Sequence, residues 1–156
     1  MSALLRGALA GVAALAVLAA AGGCADPDLK AADAEATSAL GSGCHPSPSP
    51  GARTTLPDDV AALPLLPDGA VVTGVESRSG QRTVVSAVVE RPFDEVLPQL
   101  RRTYEQGGLV LDHGEVEEHD AESDFHGQGV KGRWGLRTAA GCDGATTVSV
   151  VVAPAS

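Results

Sequence analysis

The chain begins with an apolar run that is typical of a targeting segment and not of a folded domain. Residues 7–21 are 15 consecutive Ala, Gly, Val or Leu, and the start that precedes them carries one charge, Arg6. The run is shorter than the roughly 20 apolar residues that a transmembrane helix needs. It is typical of the apolar region of a secretory signal peptide. We therefore expect residues 1–23 to be a signal peptide and the protein to be exported.

The run leads directly to a cysteine, since residues 20–24 read AAGGC. Small residues immediately before a cysteine resemble the lipobox of bacterial lipoproteins. The resemblance covers the first 24 residues and departs from the commonest pattern at Ala21, where Leu is most frequent. It implies that the Cys24 thiol receives a diacylglyceryl group and that a dedicated peptidase then cuts before Cys24. Palmitate-like acyl chains on Cys24 would then insert among the membrane lipids and hold the protein on the extracytoplasmic face of the cell membrane.

An alternative processing site lies beside the lipobox. Residues 19–21 are Ala-Ala-Ala, which is also an A-x-A site at which ordinary signal peptidase would release a soluble protein. The two alternatives differ in anchoring. Two acyl chains, each worth ~0.8 kcal/mol per buried CH₂, hold a protein durably at a membrane, whereas an unmodified protein diffuses away.

Charge narrows the possible partners. The chain has 20 acidic and 11 basic residues and a net charge of −9, and loss of Arg6 with the signal peptide makes the charge one unit more negative. Such a surface repels nucleic-acid phosphates and anionic lipid headgroups, so we expect neither as a partner of the folded surface. Two lysines accompany nine arginines, a bias typical of a high-G+C, actinobacterial genome.

Residues 25–56 offer little that could be buried. The segment has an Ala-rich acidic stretch and then alternates proline and serine over 46–50. Such alternation favours an extended, polyproline-like spacer. A helix over 31–40 would be too short to be stable alone. We therefore predict that residues 24–60 comprise the lipidated cysteine and a flexible linker that lifts a domain clear of the membrane.

Two further cysteines remain. Cys44 lies in the predicted linker and Cys142 in a Gly-rich turn at 141–144. An even pair outside the cytoplasm most simply forms a disulfide, which would strap the end of the linker onto the domain. Two free or intermolecular thiols are the alternative. A metal site built on Cys44 and His45 lacks partners at ligand spacing.

Residues 61–153 carry the patterns of one small α+β domain. Val- and Thr-rich runs over 70–77 and 81–90 predict a β-hairpin. One helix then follows from apolar residues at helical spacing, Phe93, Val96, Leu97, Leu100 and Tyr104. Further strands are predicted at 109–118, 122–128, 130–137 and 146–152. The order β-β-α-β-β-β-β favours one antiparallel sheet of five to six strands with one helix packed on a face.

The few aromatic residues are expected in the core between this helix and the sheet. They are Phe93, Tyr104, Phe125 and Trp134. The second face of the sheet is predicted to be open and to serve as a contact surface for a partner.

One window is rich in groups that could bind cations. Residues 112–126 hold seven carboxylates and three histidines. Carboxylates and imidazoles that converge across a hairpin can hold a divalent cation, with His113, His119, His126 and Asp124 as the candidate ligands. The pattern matches no defined coordination motif, and charged edge strands commonly serve to prevent sheet-to-sheet aggregation. We therefore predict a solvated edge and no metal site, with cation or small-ligand capture as the alternative function.

Catalytic motifs are not found in the sequence. It has no G-x-S-x-G elbow, phosphate-binding loop or dinucleotide fingerprint, so we expect neither an enzyme nor a cofactor. The function favoured by the sequence is that of a membrane-anchored, non-catalytic module of the cell envelope. Its expected partner is an envelope protein, a wall component or a small ligand.

Overall fold

The computed structural model describes residues 26–155, so the predicted signal peptide and Cys24 lie outside the described residues. Within that range the helices are α1 (Pro27–Ser38), α2 (Asp58–Ala61) and α3 (Phe93–Gln106). The strands are β1 (Val71–Arg78), β2 (Arg82–Val89), β3 (Val110–Val116), β4 (Asp120–Gly127), β5 (Val130–Ala139) and β6 (Cys142–Pro154).

The strands form one antiparallel sheet with the order β1-β2-β6-β5-β4-β3. β1 and β2 form one hairpin, and each strand from β3 to β6 pairs with the next. The long strand β6 joins the two halves by pairing with β2 from Thr83↔Val152 to Val89↔Thr146. β6 is central and buried on both faces over most of its length. The predicted α+β class is confirmed, with one antiparallel sheet of six strands and a helix packed on it.

Helix α3 packs its apolar side on one face of this sheet. Its residues Phe93, Val96, Leu100 and Tyr104 are all buried. The Tyr104 ring meets Phe125 edge-on with centroids 5.0 Å apart, and Trp134 lies beneath at 6.4 Å. Such edge-to-face contacts add to the burial of apolar area. The aromatic core predicted from the sequence is confirmed.

The Tyr104 hydroxyl remains hydrogen-bonded inside this core. It donates to the carbonyl oxygen of Leu65 at 3.2 Å, which satisfies a polar group that would otherwise be costly to bury. Burial raises the pKa of Tyr104 because it disfavours the phenolate. The segment before β1 is therefore tied to α3.

The other face of the sheet is covered by a helix that the sequence analysis assigned to a linker. α1 packs across β2 and β6 and buries Leu29, Ala32 and Ala36, which lie on one side of the helix. Its start is well defined, because the Asp26 side chain accepts a hydrogen bond from the backbone N–H of Asp28 at 2.8 Å. The prediction of an open second face was therefore wrong over β2 and β6.

Polar contacts add to the attachment of α1. Arg82 Nη1 lies 2.7 Å from Asp28, and Thr147 Oγ1 donates to Asp33 at 2.5 Å. Ser86 Oγ donates to Glu35 at 3.1 Å. An isolated helix of 12 residues is marginal in water, but here side-chain packing and these contacts supply the missing stability.

The rest of the predicted linker is partly folded as well. The Pro-Ser stretch forms an exposed loop over 47–51. Val60 of α2 and Leu65 are buried in the α3-side core, and Leu56 and Leu63 pack against it. The described fold therefore includes residues from Pro27 onward, upstream of the domain start predicted at residue 61.

Candidate functional site

The two cysteines of the described region form a disulfide. Cys44 and Cys142 are joined by an S–S bond of 2.04 Å, with Cα atoms 5.6 Å apart and a sequence separation of 98. Cys142 begins β6 and packs with Ala36 of α1, so the bond lies at the C-terminal end of that helix. The predicted pairing is confirmed. The bond ties the loop after α1 to the centre of the sheet.

The lipidation candidate Cys24 lies outside the described residues, which begin two positions after it, at Asp26. Asp26 is the N-cap of α1 and Pro27 is the first residue of the helix, a position that suits proline because its nitrogen needs no hydrogen bond there. Two residues of sequence therefore separate Cys24 from the start of the folded domain.

The remaining open part of the α1-side face lies on strands β3 to β5, and we call it the charged face. Acidic and basic side chains are mixed on it. It comprises Asp112, Glu122, Asp124, His126, Lys131 and Arg133. β4 and β5 pair in register, with Asp124 opposite Arg133 and His126 opposite Lys131. The Asp124–Arg133 pair places opposite charges at paired positions of neighbouring strands, which stabilises a sheet.

Arg133 and Asp124 form the tightest contact of the charged face. Arg133 Nε and Nη2 donate to the two carboxylate oxygens of Asp124 at 2.7 and 2.9 Å. The hydrogen bonds from Arg133 hold the pKa of Asp124 below its ordinary value, and the charges of Arg133 and His113 add to this effect. Asp124 therefore stays ionised and engaged with a guanidinium.

The histidines of the predicted window divide between two places. β3 has a bulge between Leu111 and Gly114, so Asp112 and His113 both stand opposite Asp124. His126 Nδ1 lies 2.7 Å from Asp112. The structure thus gathers three of the four candidate ligands, His113, His126 and Asp124, at one end of the β3–β4 hairpin.

The fourth candidate, His119, lies at the other end of the hairpin. It sits in the turn between β3 and β4, 70% exposed and 3.6 Å from Glu118. Glu117 also lies in this turn, beyond the end of β3, and not on the strand as the alternating pattern suggested. Within residues 26–155, no group of three or more His, Cys, Asp or Glu side chains is arranged to hold a metal ion.

Two grooves flank the N-terminal half of α1. One, of about 620 Å³, is bounded by Asp26 of α1 and by Asp124, His126 and Arg133 of the charged face. The other, of about 210 Å³, lies between Lys30 and Asp33 on the helix and Arg137 on β5. Arg137 donates to Asp33 at 2.9 Å and to Asp120 at 2.8 Å. Both grooves contain charged side chains that are already paired.

The comparisons with known proteins give no family. No protein-family model matches the chain, and no curated protein is significantly similar to it. In the described part of the chain, no helix combines the length and the apolar character needed to cross a bilayer.

The acidic side chains of α1 were not among the site residues predicted from the sequence. Asp28, Asp33 and Glu35 were assigned to a solvated linker, yet each makes a contact with the sheet. One signal could have found the helix: Asp26-Pro27 is a typical N-cap and first-turn pair.

Proposed function

We propose that the chain is an envelope lipoprotein whose signal peptide over residues 1–23 is removed and whose Cys24 carries the acyl chains. The observation that carries this proposal is the Cys44–Cys142 disulfide. Of the three cysteines in the sequence, it uses the two that lie within the fold and leaves Cys24 next to the apolar leader. Disulfides persist in oxidising compartments outside the cytoplasm, which agrees with export.

The anchor is tested by mass spectrometry of the mature protein from a host that lipidates such signals. We expect the N-terminal peptide to begin at Cys24 and to carry the mass of a diacylglyceryl group, and the protein to be found in the membrane fraction. A Cys24→Ala variant should lose both the modification and the membrane association. A mature protein that begins at Gly22, with an unmodified Cys24, would overturn the proposal.

We further propose that the anchored domain is a non-catalytic binding module and that the charged face is its contact surface. Asp124 and Asp120 are each engaged by an arginine, which suits recognition by exchange of ion pairs more than proton transfer. The grooves beside α1 offer a polar partner both carboxylates and guanidinium groups. An envelope protein, a wall component or a small polar ligand would fit this chemistry.

The contact surface is tested with charge-removing variants of the full lipoprotein in its own envelope. Glu122→Gln with His126→Gln alters the charged face, and Arg101→Gln with Arg102→Gln alters the exposed side of α3 as a matched control. We expect both double variants to retain the melting temperature. Only the first should lose the cross-linked products formed by the wild type. Equal loss in both, or in neither, would contradict a role for the charged face.

Cation capture by the 112–126 window is the alternative that the sequence left open, and we do not carry it forward. Both oxygens of Asp124 accept hydrogen bonds from the Arg133 guanidinium, and the positive charge of that group disfavours a cation beside it. Zinc, copper or calcium is accordingly expected to leave the melting temperature unchanged. A rise that His126→Gln abolishes would restore the alternative.

A further inference from the structure

The position of α1 determines how far the domain can stand from an anchor at Cys24. A residue of extended chain spans at most about 3.6 Å, so the Cα of Asp26 lies within roughly 7 Å of the Cα of Cys24. Asp26 is fixed as the N-cap of α1. α1 is in turn fixed to the sheet by buried Leu29 and by the contact between Asp28 and Arg82. A spacer between anchor and domain, as predicted from the sequence, is therefore missing on this side of the fold.

The end of the domain that surrounds Asp26 mixes basic residues with carboxylates, among them Asp28, Glu76 and Asp59. Arg82 and Arg78 lie 2.7 and 3.8 Å from Asp28, which places the β1–β2 turn beside the start of α1. Lys131 and Arg133 line the groove that Asp26 borders. Four of the ten basic residues that remain after loss of Arg6 thus gather at this end.

The opposite end is strongly acidic. Ala36, near the C-terminus of α1, packs with Cys142 at the start of β6. A cleft at the same end brings together Asp94, Glu118, His119 and Asp143. The exposed carboxylates there are those of Glu90, Asp94, Glu95, Glu117, Glu118 and Asp143. The 12 residues of α1 span about 18 Å at 1.5 Å per residue, which separates the two ends.

We propose that the end of the domain around Asp26 rests on the phospholipid headgroups in which Cys24 is anchored, with the β1–β2 turn against the membrane and the acidic end directed outward. This inference rests on the lipidation of Cys24 proposed above. The separation of about two Debye lengths at physiological salt screens the acidic end from anionic headgroups. The overall negative charge therefore does not prevent the end around Asp26, with its four basic residues, from lying on them.

The orientation is tested with two matched tryptophan probes in the full lipoprotein. Ser79 lies exposed in the β1–β2 turn. Ser47 lies exposed beyond the other end of α1, where its N–H donates to the Ala39 carbonyl at 2.8 Å. The native Trp134 is completely buried and common to both variants. Each variant is reconstituted in vesicles of phosphatidylcholine and phosphatidylglycerol that contain a headgroup-spin-labelled phosphatidylcholine.

We expect Ser79→Trp to be quenched several-fold more strongly than Ser47→Trp. Insertion of a ten-residue Gly-Ser segment between Ala25 and Asp26 should reduce the quenching of Ser79→Trp to the level of Ser47→Trp. Equal quenching of the two probes without the insertion, or stronger quenching of Ser47→Trp, would overturn the proposed orientation.

Mass spectrometry of the same samples separates this test from that of the anchor. Samples without the diacylglyceryl mass count against the proposed function, whereas lipidated samples with equal quenching count only against the orientation. Hydrogen exchange on the unsubstituted lipoprotein serves if a tryptophan variant does not fold. On vesicles, relative to detergent micelles, amides 78–82 should gain protection and amides 116–120 should not. Equal gains would also overturn the orientation.

Discussion

Removal of the Cys44–Cys142 disulfide is expected to lower the free energy of unfolding by about 4–5 kcal/mol. The bond closes a loop with a sequence separation of 98, for which the chain-entropy relation gives roughly 4.7 kcal/mol at 25 °C. Cys142 is 9% exposed and packs against Ala36, Val88 and Ala145, so its loss also loosens the apolar contacts beneath the end of α1. Most domains of this size have 5–15 kcal/mol in total.

The assay is urea unfolding of the Cys44→Ala/Cys142→Ala variant beside the wild type, followed by circular dichroism. We expect the midpoint to fall and the m-value to rise, because the unfolded chain without the bond exposes more surface. In a thermal scan the loss corresponds to a decrease of roughly 15 °C for a domain of this length.

Reducing agent provides the control. It should destabilise the wild type to the level of the double variant and leave the double variant unchanged. A loss smaller than about 1 kcal/mol, with an unchanged m-value, would refute the reasoning, since the bond would then restrict an unfolded chain that is already compact.

Three further perturbations test how the two helices and the charged face are held. Leu29→Ala should cost about 2–3 kcal/mol in urea unfolding because Leu29 is buried beneath α1, whereas Lys30→Ala on the exposed side should cost little; equal effects would mean that α1 does not pack on the sheet. Gly132→Ala should cost about 2–3 kcal/mol, because its Cβ would overlap a carbonyl oxygen of β6 and an aromatic ring of β4. Gly144→Ala should be neutral, because a Cβ added there would meet nothing within 4 Å. A larger cost for Gly144→Ala than for Gly132→Ala would contradict the packing around Gly132. Asp124→Asn should cost less than about 1 kcal/mol, as for a partly exposed ion pair. The folded-state pKa of Asp124 is lowered. The destabilisation caused by Asp124→Asn should therefore be fully present above the unfolded pKa of about 3.9 and should vanish as the pH falls through the folded pKa. Destabilisation that persists at lower pH would contradict the ion pair with Arg133.

The sheet could be predicted because its signals are local. In β5, residues Val130, Gly132, Trp134 and Leu136 alternate with charged residues and glycine, and the period of two gives one buried face. β2 is apolar on both faces because α1 and α3 cover it from opposite sides. The sequence pointed to a central strand there, but not to the second covering helix.

α1 escaped prediction because its buried side is built mainly from alanine. Ala32 and Ala36 carry little hydrophobic signal, and the acidic residues between them resemble a solvated linker. The strands beneath α1 also present small residues to it. A Cβ at Gly74 would overlap the Glu35 carboxylate, so the glycine is what makes room for that side chain. Small residues on both surfaces allow close packing, and neither surface indicates this alone.

The β3 bulge was hidden for a different reason. Strict alternation places His113, Glu115 and Glu117 on one face of a strand, but one extra residue at Asp112–His113 shifts the register. Glu115 consequently stands opposite Glu122, and Gly114 opposite Ser123. A Cβ at Gly114 would lie 2.5 Å from the carbonyl oxygen of Glu122, so glycine suits the close approach there. A lone glycine in a strand pattern is a signal for a bulge, but it does not specify which two residues stand opposite a single residue of the partner strand.

The two ends of α1 are held in different ways, and this bears on a chain pulled through Cys24. At the C-terminal end, the Cys44–Cys142 bond joins the following loop covalently to β6. At the N-terminal end, Leu29 burial and the contact between Asp28 and Arg82 are noncovalent. A force applied at Cys24 would therefore act first on the Asp28 contact and could peel the helix only from that end. The disulfide would stop the opening before it reached the strands that Cys142 joins, so the α3-side core would be spared.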